Sequence, residues 1–444
     1  MNKIIFLTLF LAIYSSMAQS IKGKINQVKN TEIILTGYDG FTKKELAKTT
    51  TDSLGNFTLV YPKNYIGAAS LEIKSVKNYL VILLNHENFS LQWTNHNDFK
   101  TLRFINSAEN NALSKAMIIN QDAEDKLAAL KYLLPLYKTF PIKKEWIEHE
   151  IKYQEAQFSY FLKQLPSNSY AKYYLKIRKI ISDFPITANQ YPNRISTQEN
   201  EFKNIDFENN KLWNSGLLEG LFDGFYQLME TYKNITEITN HTNSGTNSWL
   251  TSLDVNPLRK QEIAEYCFKK LEKRSQFSAA EYLALKMLNQ SNCKLDEKRT
   301  SLFEQYRKMA IGNTAPNIIL NLNTKKSLES IDSKYKLVIF GASWCPNCQT
   351  DYPKLVNIYK FLKDTYQVEI IYISIDTNFD EYTNYYKNAP FLTYCDSRGW
   401  DTPAAKNYFV FATPTYFLLD KELKIMAKIQ SPEHLEAWLK SKNK

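Results

Sequence analysis

The sequence predicts a multidomain chain in which an N-terminal antiparallel β domain and a central α-helical domain precede a C-terminal α/β domain built on a mixed sheet. Three observations support this. Up to about Trp93 apolar and polar residues alternate, with many β-branched side chains. From about Ala108 to Met309 apolar residues recur at helical spacing. Beyond Ile311 short apolar runs alternate with amphipathic stretches, the pattern of strands and helices in turn. At 444 residues the chain is too long for one ordinary core, and the patterns divide it into residues 1–18, 19–105, 106–310 and 311–444.

Residues 1–18 read as a signal peptide. Lys3 supplies a short basic region, and Ile4 to Tyr14 is an apolar run too short to span a bilayer. Ser16-Met17-Ala18 then places small residues where a signal peptidase cuts. After cleavage no segment is long and apolar enough to be transmembrane, so the expected location is the periplasm or cell envelope. In the β-rich part, Glu32-Ile33-Ile34-Leu35, Asn56-Phe57-Thr58-Leu59-Val60 and Tyr79 to Leu84 read as strands. The turn Asp52-Ser53-Leu54-Gly55 signals a hairpin between two such runs.

In the helical part Ile147, Ile151, Phe158, Leu162 and Leu165 recur on one face, as do Ile263, Cys267 and Leu271. The polar stretch from Thr239 to Ser248 is expected to interrupt the helices. The aromatic stripes here read as core, and no group of chemistry-bearing residues stands out. In the last part Lys336-Leu337-Val338-Ile339-Phe340 predicts a buried strand, with a helix from about Pro346 to Asp364. A strand from Val368 to Ile375 and a helix from Phe379 to Lys387 follow. A short helix near Ala404 to Tyr408, paired strands at Thr415–Leu419 and Lys424–Ile429, and a helix from Pro432 to Lys440 complete the domain.

Hydrophobic residues make up 44% and charged residues 23%, the balance of a folded globular chain. The net charge of +10 is scattered among acids, as in Lys269-Lys270-Leu271-Glu272-Lys273-Arg274. A nucleic-acid binder gathers its charge on one face, so no nucleic-acid partner is expected. The five cysteines, Cys267, Cys293, Cys345, Cys348 and Cys395, are too few for a disulfide-stapled scaffold. They suggest one working pair and bystanders.

The pair is in Trp344-Cys345-Pro346-Asn347-Cys348, where the buried strand feeds a helix. Two thiols three positions apart at a helix start can close a disulfide within one turn. The first also faces unpaired backbone N–H groups and the positive end of the helix dipole, which favour its thiolate. Cys345 is thus the expected nucleophile, and Cys348, one turn deeper, the thiol that resolves a mixed disulfide. Zinc would need further ligands, and the five histidines form no cluster at matching spacing. A purely structural disulfide would close so short a loop that it stabilises little. Cys395, on an expected short strand, reads either as a third redox thiol or as a buried bystander; Cys267 reads as core. A bridge from Cys267 to Cys293 is excluded by the spacing of an expected helical hairpin.

These residues resemble the thioredoxin superfamily, and within it the TlpA/ResA-like exported thiol–disulfide oxidoreductases. The resemblance covers about Ile311 to Lys444. It rests on Gly312 with Ala315-Pro316, the motif Trp344 to Cys348, Pro353 in the following helix, and Thr413-Pro414-Thr415. Upstream, Asp52, Gly55 and Phe57 resemble the all-β domain that precedes such modules in bacterial envelope proteins.

The resemblance implies a thioredoxin-like fold with Pro414 cis and facing the cysteines across a groove. Thr413 and Pro414 would bind the substrate backbone as a short strand, with Trp344 as a wall. Asp351 occupies the position where ResA-like proteins carry a glutamate and would take a proton from Cys348; the alternative reading is a surface acid near a helix N-terminus. Where thioredoxin has a buried aspartate, this chain has Ile339. Pro346 and Asn347 bring no charge between the cysteines, so the direction of electron transfer stays open. No organic cofactor and no metal is implied, since the dithiol carries the electrons. Disulfide-bearing proteins of the envelope and a membrane thiol reductant are the expected partners, cytochrome c maturation being one family role. Two other readings stand beside this one: a thiol peroxidase, and an envelope binding protein whose N-terminal domains carry the main function.

Overall fold

The computed structural model describes residues 18–76, 79–289, 295–321 and 326–442. Residues 1–17 of the expected signal peptide 1–18, and Cys293, lie outside these residues. The chain forms two compact units, Met1–Glu262 and Ile263–Lys444. The division into β-rich, helical and α/β segments at residues 105 and 310 remains our proposal for its domain organisation.

The first unit begins with β1 (Ala18–Ile25), β2 (Glu32–Asp39), β3 (Thr42–Thr50), β4 (Asn56–Pro62), β5 (Gly67–Ile73), β6 (Tyr79–Leu84), β7 (Phe89–Trp93) and β8 (Leu102–Ile105). They form two four-stranded sheets in the orders β4-β1-β7-β8 and β3-β2-β5-β6. Pairing is antiparallel, except that β1 runs parallel to β7. Alternate side chains such as Ile33 and Leu35 of β2, Leu59 and Tyr61 of β4, and Leu91 and Trp93 of β7 meet in one core.

The turn at Asp52 forms, but it is not a hairpin within one sheet. The Asp52 carboxylate accepts from the backbone N–H groups of Leu54 and Asn56, both at 2.8 Å, and Gly55 takes φ +82°. The Gly55 carbonyl accepts from Ile25 N at 2.9 Å, so β4 leaves the turn paired to β1 while β3 pairs with β2. The turn therefore joins one sheet to the other.

Helices α1 (Ala108–Leu133), α2 (Pro141–Gln164), α3 (Tyr170–Gln190), α4 (Ile195–Lys203), α5 (Asn210–Trp213), α6 (Leu218–Met229) and α7 (Ile235–Ser252) follow. Glu109 of α1 accepts from the N–H groups of Tyr170 and Ala171, satisfying orphan donors at the start of α3. The polar stretch from Thr239 to Ser248 does not break the helices; it lies inside α7. Asn234 caps this helix, and Thr242, Gly245 and Thr246 are buried, with the Phe225 ring against Gly245. Glycine is needed at 245 because the Phe225 ring occupies the space that a Cβ would take.

Helix α8 (Pro257–Lys273) crosses the division between the units. The second unit continues with α9 (Phe277–Leu288), α10 (Glu297–Lys308), a small pair β9 (Ile319–Asn321) and β10 (Lys326–Ser327), and β11 (Tyr335–Gly341). Then come α11 (Pro346–Tyr366), β12 (Val368–Ser374), α12 (Phe379–Tyr386), β13 (Leu392–Cys395), α13 (Pro403–Asn407), β14 (Thr415–Asp420), β15 (Ile425–Ile429) and α14 (Pro432–Lys442).

Five strands form a mixed sheet in the order β13-β12-β11-β14-β15, with β11 parallel to β12 and antiparallel to β14. The central strand β11 is buried on both faces. Val338 and Phe340 face a core with Ile371, Tyr408 and Phe417, while Leu337 and Ile339 face another with Leu355, Tyr372 and Leu435. That two-sided burial is why this segment reads as a continuous apolar run. Among the described residues no helix is long and apolar enough to cross a membrane.

Candidate active site

The register of the sheet brings the site together. Phe340 lies opposite Thr415 and Ile339 opposite Tyr416, so the end of β11 and the start of β14 are neighbours. The segment leaving β11 carries Trp344 and Cys345, and the segment entering β14 carries Thr413 and Pro414. The Thr413–Pro414 bond is cis, as the resemblance implies.

Cys345 is the N-cap of α11, with Pro346 at the first helical position, where its missing N–H costs nothing. The Cys345 sulfur accepts from the Cys348 backbone N–H at 3.3 Å and lies 3.5 Å from the Thr413 carbonyl oxygen. The thiol predicted to face helix-start N–H groups does so. Cys345 and Cys348 are both free thiols and both buried, 4% and 1% exposed. Burial first, and then the neighbouring Cys345 thiol, push the Cys348 thiol up to about 12. Cys348 is accordingly a protonated thiol at neutral pH.

Trp344 is exposed beside the pair, and Pro346 and Asn347 lie exposed on the first turn of α11. Asp351 is on the next turn of α11. Its carboxylate accepts from the Tyr416 hydroxyl at 2.8 Å and pairs with Lys354 at 3.5 Å. The sequence reading passed over Tyr416, because a tyrosine two places into a strand is ordinary core; only the β11–β14 register brings it to Asp351.

Asp376 was also not foreseen. It is 1% exposed, and its carboxylate accepts from Ser343 N at 3.1 Å, Ser343 Oγ at 2.8 Å and Ser374 Oγ at 2.6 Å. These bonds tie the segment just before Trp344 to the end of β12. An aspartate directly after an apolar strand was a usable signal for this tether. Cys395 is half-buried in β13, its thiol 3.4 Å from the Asp376 carbonyl. Cys267 is fully buried. Among the described residues no three of His, Cys, Asp and Glu converge on a common point.

The arrangement can carry out thiol–disulfide exchange. It offers a sulfur at a helix start, a second thiol one turn on, and an extended segment opposite. A family model described as thioredoxin-like matches residues 332–425. Among characterised proteins, the thiol-disulfide oxidoreductase ResA of Bacillus cereus (strain ATCC 10987 / NRS 248) is 33% identical over 145 residues, 31% of this chain and 82% of that protein. Among solved structures, a thioredoxin-like protein from Bacteroides caccae is 16% identical, covering 56% of this chain and 93% of its own, with a TM-score of 0.42. A thiol-disulfide oxidoreductase from Bacteroides fragilis is 27% identical, covering 29% of this chain and 98% of its own, with a TM-score of 0.26.

Proposed function

The last third of the chain belongs to the ResA-type thiol–disulfide oxidoreductases of the thioredoxin superfamily, and from that premise we propose that it is an exported reductase of protein disulfides in the cell envelope, working through Cys345 and Cys348. Cys345 attacks one sulfur of a client disulfide as thiolate. A Cys345–client disulfide forms, and the departing client sulfur takes up a proton. Cys348 then gives up its proton and attacks the Cys345 sulfur, releasing the client as a dithiol and leaving a Cys345–Cys348 disulfide. Two electrons pass to the client, and a membrane thiol reductant returns them. The dithiol carries the electrons, so no organic cofactor enters.

The observation that carries this reading is the Cys345 sulfur, held between the Cys348 N–H and the Thr413 carbonyl beside Pro414. In that place an extended client segment would pair with the Thr413 edge while its sulfur meets Cys345, with Trp344 alongside. Asp351 is the proposed acceptor for the Cys348 proton. Pro346 and Asn347 shape the first turn without adding charge. Cytochrome c maturation is one role such a reductase would fill.

The test is to express the chain with Cys348→Ser in an oxidising compartment and isolate mixed disulfides. Adducts through Cys345 are expected, and their identification names the clients. A folded variant that traps nothing, together with a parent chain unable to reduce insulin, would refute the mechanism.

A further inference from the structure

A cavity of about 380 Å³ opens against Thr413 and Pro414, within the range of ligand pockets. Asn347, Thr350 and Asp351 of α11 line one side of it. Another part of its wall comes from Phe277 and Ser278 of α9, Tyr306 of α10, and Met309 just beyond α10. These four residues precede the segment 332–425 that matches the family model, so this wall is an addition to the family domain.

The wall is fixed in place. Glu281 of α9 pairs with Lys428 of β15, both side chains 13% exposed, and Lys428 also lies over the Tyr306 ring, 5.3 Å from its centroid. The Tyr306 hydroxyl donates to Glu272 at 2.8 Å. Met309 and Tyr306 are 3% and 7% exposed, so the wall is set into the body of the unit.

The charge pattern excludes a charged occupant. Among the residues that line the cavity the charged ones are Asp351 and Lys428, and each is already matched, Asp351 by Lys354 and Lys428 by Glu281. A charged guest would find no free counter-ion and would lose its hydration. An apolar side chain would meet aromatic rings and a thioether. The cavity is continuous with the peptide that faces the reactive sulfur, so a client residue close to its disulfide cysteine is what reaches it.

We propose that Phe277, Tyr306 and Met309 form a specificity wall that selects client disulfides flanked by a bulky apolar side chain. The proposal rests on the reading of Cys345 as the attacking thiol. It assigns part of the helical segment to client selection rather than to a separate activity.

The experiment compares disulfide-linked peptide dimers carrying alanine or phenylalanine on both sides of the cysteine. The full chain reduces them with dithiothreitol as recycling reductant. We expect kcat/KM to favour the phenylalanine peptide by about tenfold or more. Phe277→Ala, which enlarges the cavity, and Ser278→Trp, which fills it, should each bring that ratio to about one to threefold. A ratio taken within one variant does not depend on how much of it is folded. Equal rates on both peptides in the parent chain overturn the proposal, as does a parent ratio that neither variant changes. Faster reduction of cystine than of either peptide also overturns it, assigning the cavity to a small disulfide. Reduction of neither peptide nor insulin overturns the underlying reading of Cys345, and this proposal with it.

Discussion

The hydroxyl of Tyr416 donates to Oδ2 of Asp351 at 2.8 Å. Burial first, and then this carboxylate, keep the Tyr416 hydroxyl far above the usual phenol range, so it stays a donor at any physiological pH. The bond joins the second turn of α11 to the strand that follows Pro414. It holds the acid against β14, its side chain 14% exposed, instead of leaving it to point into solvent. Thioredoxin's buried aspartate is replaced here by Ile339, and this tyrosine-anchored aspartate is the acid that lies nearest the motif in sequence.

The first prediction concerns the resolving step. Burial, the first cause of the rise of the Cys348 thiol, persists in the mixed disulfide, so without a base its attack should speed up about tenfold per pH unit between pH 7 and 9. With Asp351 as the proposed proton acceptor, that slope should flatten. Asp351→Asn should slow decay of the mixed disulfide by about 100-fold at pH 7 and restore the steep slope. Tyr416→Phe, which leaves the carboxylate but frees it to move, should fall between the two. Stopped-flow tryptophan fluorescence with a peptide disulfide measures the decay. Identical rates and slopes in all three proteins would remove Asp351 from the mechanism.

A second prediction follows from the same thiol. Its folded value, about 12, exceeds the ordinary value of 9.0, so the unfolded chain gives up this proton first as pH rises. The stabilisation is complete below pH 9 and is lost between 9 and 12, with a slope of up to about 1.4 kcal/mol per pH unit. Cys348→Ser lacks this loss. Urea midpoints of the reduced parent should therefore fall faster than those of the variant from pH 9 to 10.5. Parallel curves would mean that the thiol is not shielded as the fold implies.

The second unit was the most legible part of the sequence, for a physical reason. A strand buried on both faces, such as Leu337 to Phe340, must be apolar throughout, and a cysteine pair followed by Pro353 fixes where the helix starts. Signals within one element were thus readable. What stayed hidden depends on pairs far apart in the chain: Tyr416 on Asp351, Asp376 on Ser343, Lys428 on Glu281. The helix through Thr239 to Ser248 was missed because its buried positions, Thr242, Gly245 and Thr246, make no apolar stripe, and at Gly245 the Phe225 ring takes the space of a side chain. The turn at Asp52 was read correctly as a turn but not as a crossing between sheets, since turn chemistry does not reveal the partner of the next strand.

The third prediction tests the Glu281–Lys428 pair that holds α9 against β15. Glu281→Ala leaves a buried ammonium without its partner and should destabilise the second unit by about 3–5 kcal/mol. The double substitution Glu281→Leu with Lys428→Met removes both charges and should recover most of that loss. Chemical denaturation followed by near-ultraviolet circular dichroism distinguishes these outcomes. A single substitution without effect would mean that the pair is hydrated and does not anchor the wall.

The fourth prediction is at Gly341, the last residue of β11, four positions before Cys345. A Cβ built there would lie 2.0 Å from the Tyr372 hydroxyl oxygen and 2.6 Å from the ring carbon that bears it. Tyr372 is 1% exposed and packed against Tyr352 and Tyr386, so it has little room to retreat. The Gly341 carbonyl also accepts from Ile375 N at 2.8 Å, so the backbone is held on its other side. Gly341→Ala should therefore cost about 1–3 kcal/mol by overpacking. It should also reduce insulin turnover, because the strain passes directly into the segment that carries Ser343 and Cys345. Adding Tyr372→Phe removes the closest atom but leaves the ring carbon, so the double variant should regain part of the stability and part of the activity. Urea midpoints and insulin reduction measured on the parent and both variants decide it. A Gly341→Ala chain as stable and as active as the parent would show that β12 moves freely against β11 at this point, contrary to the tight packing behind the cysteines.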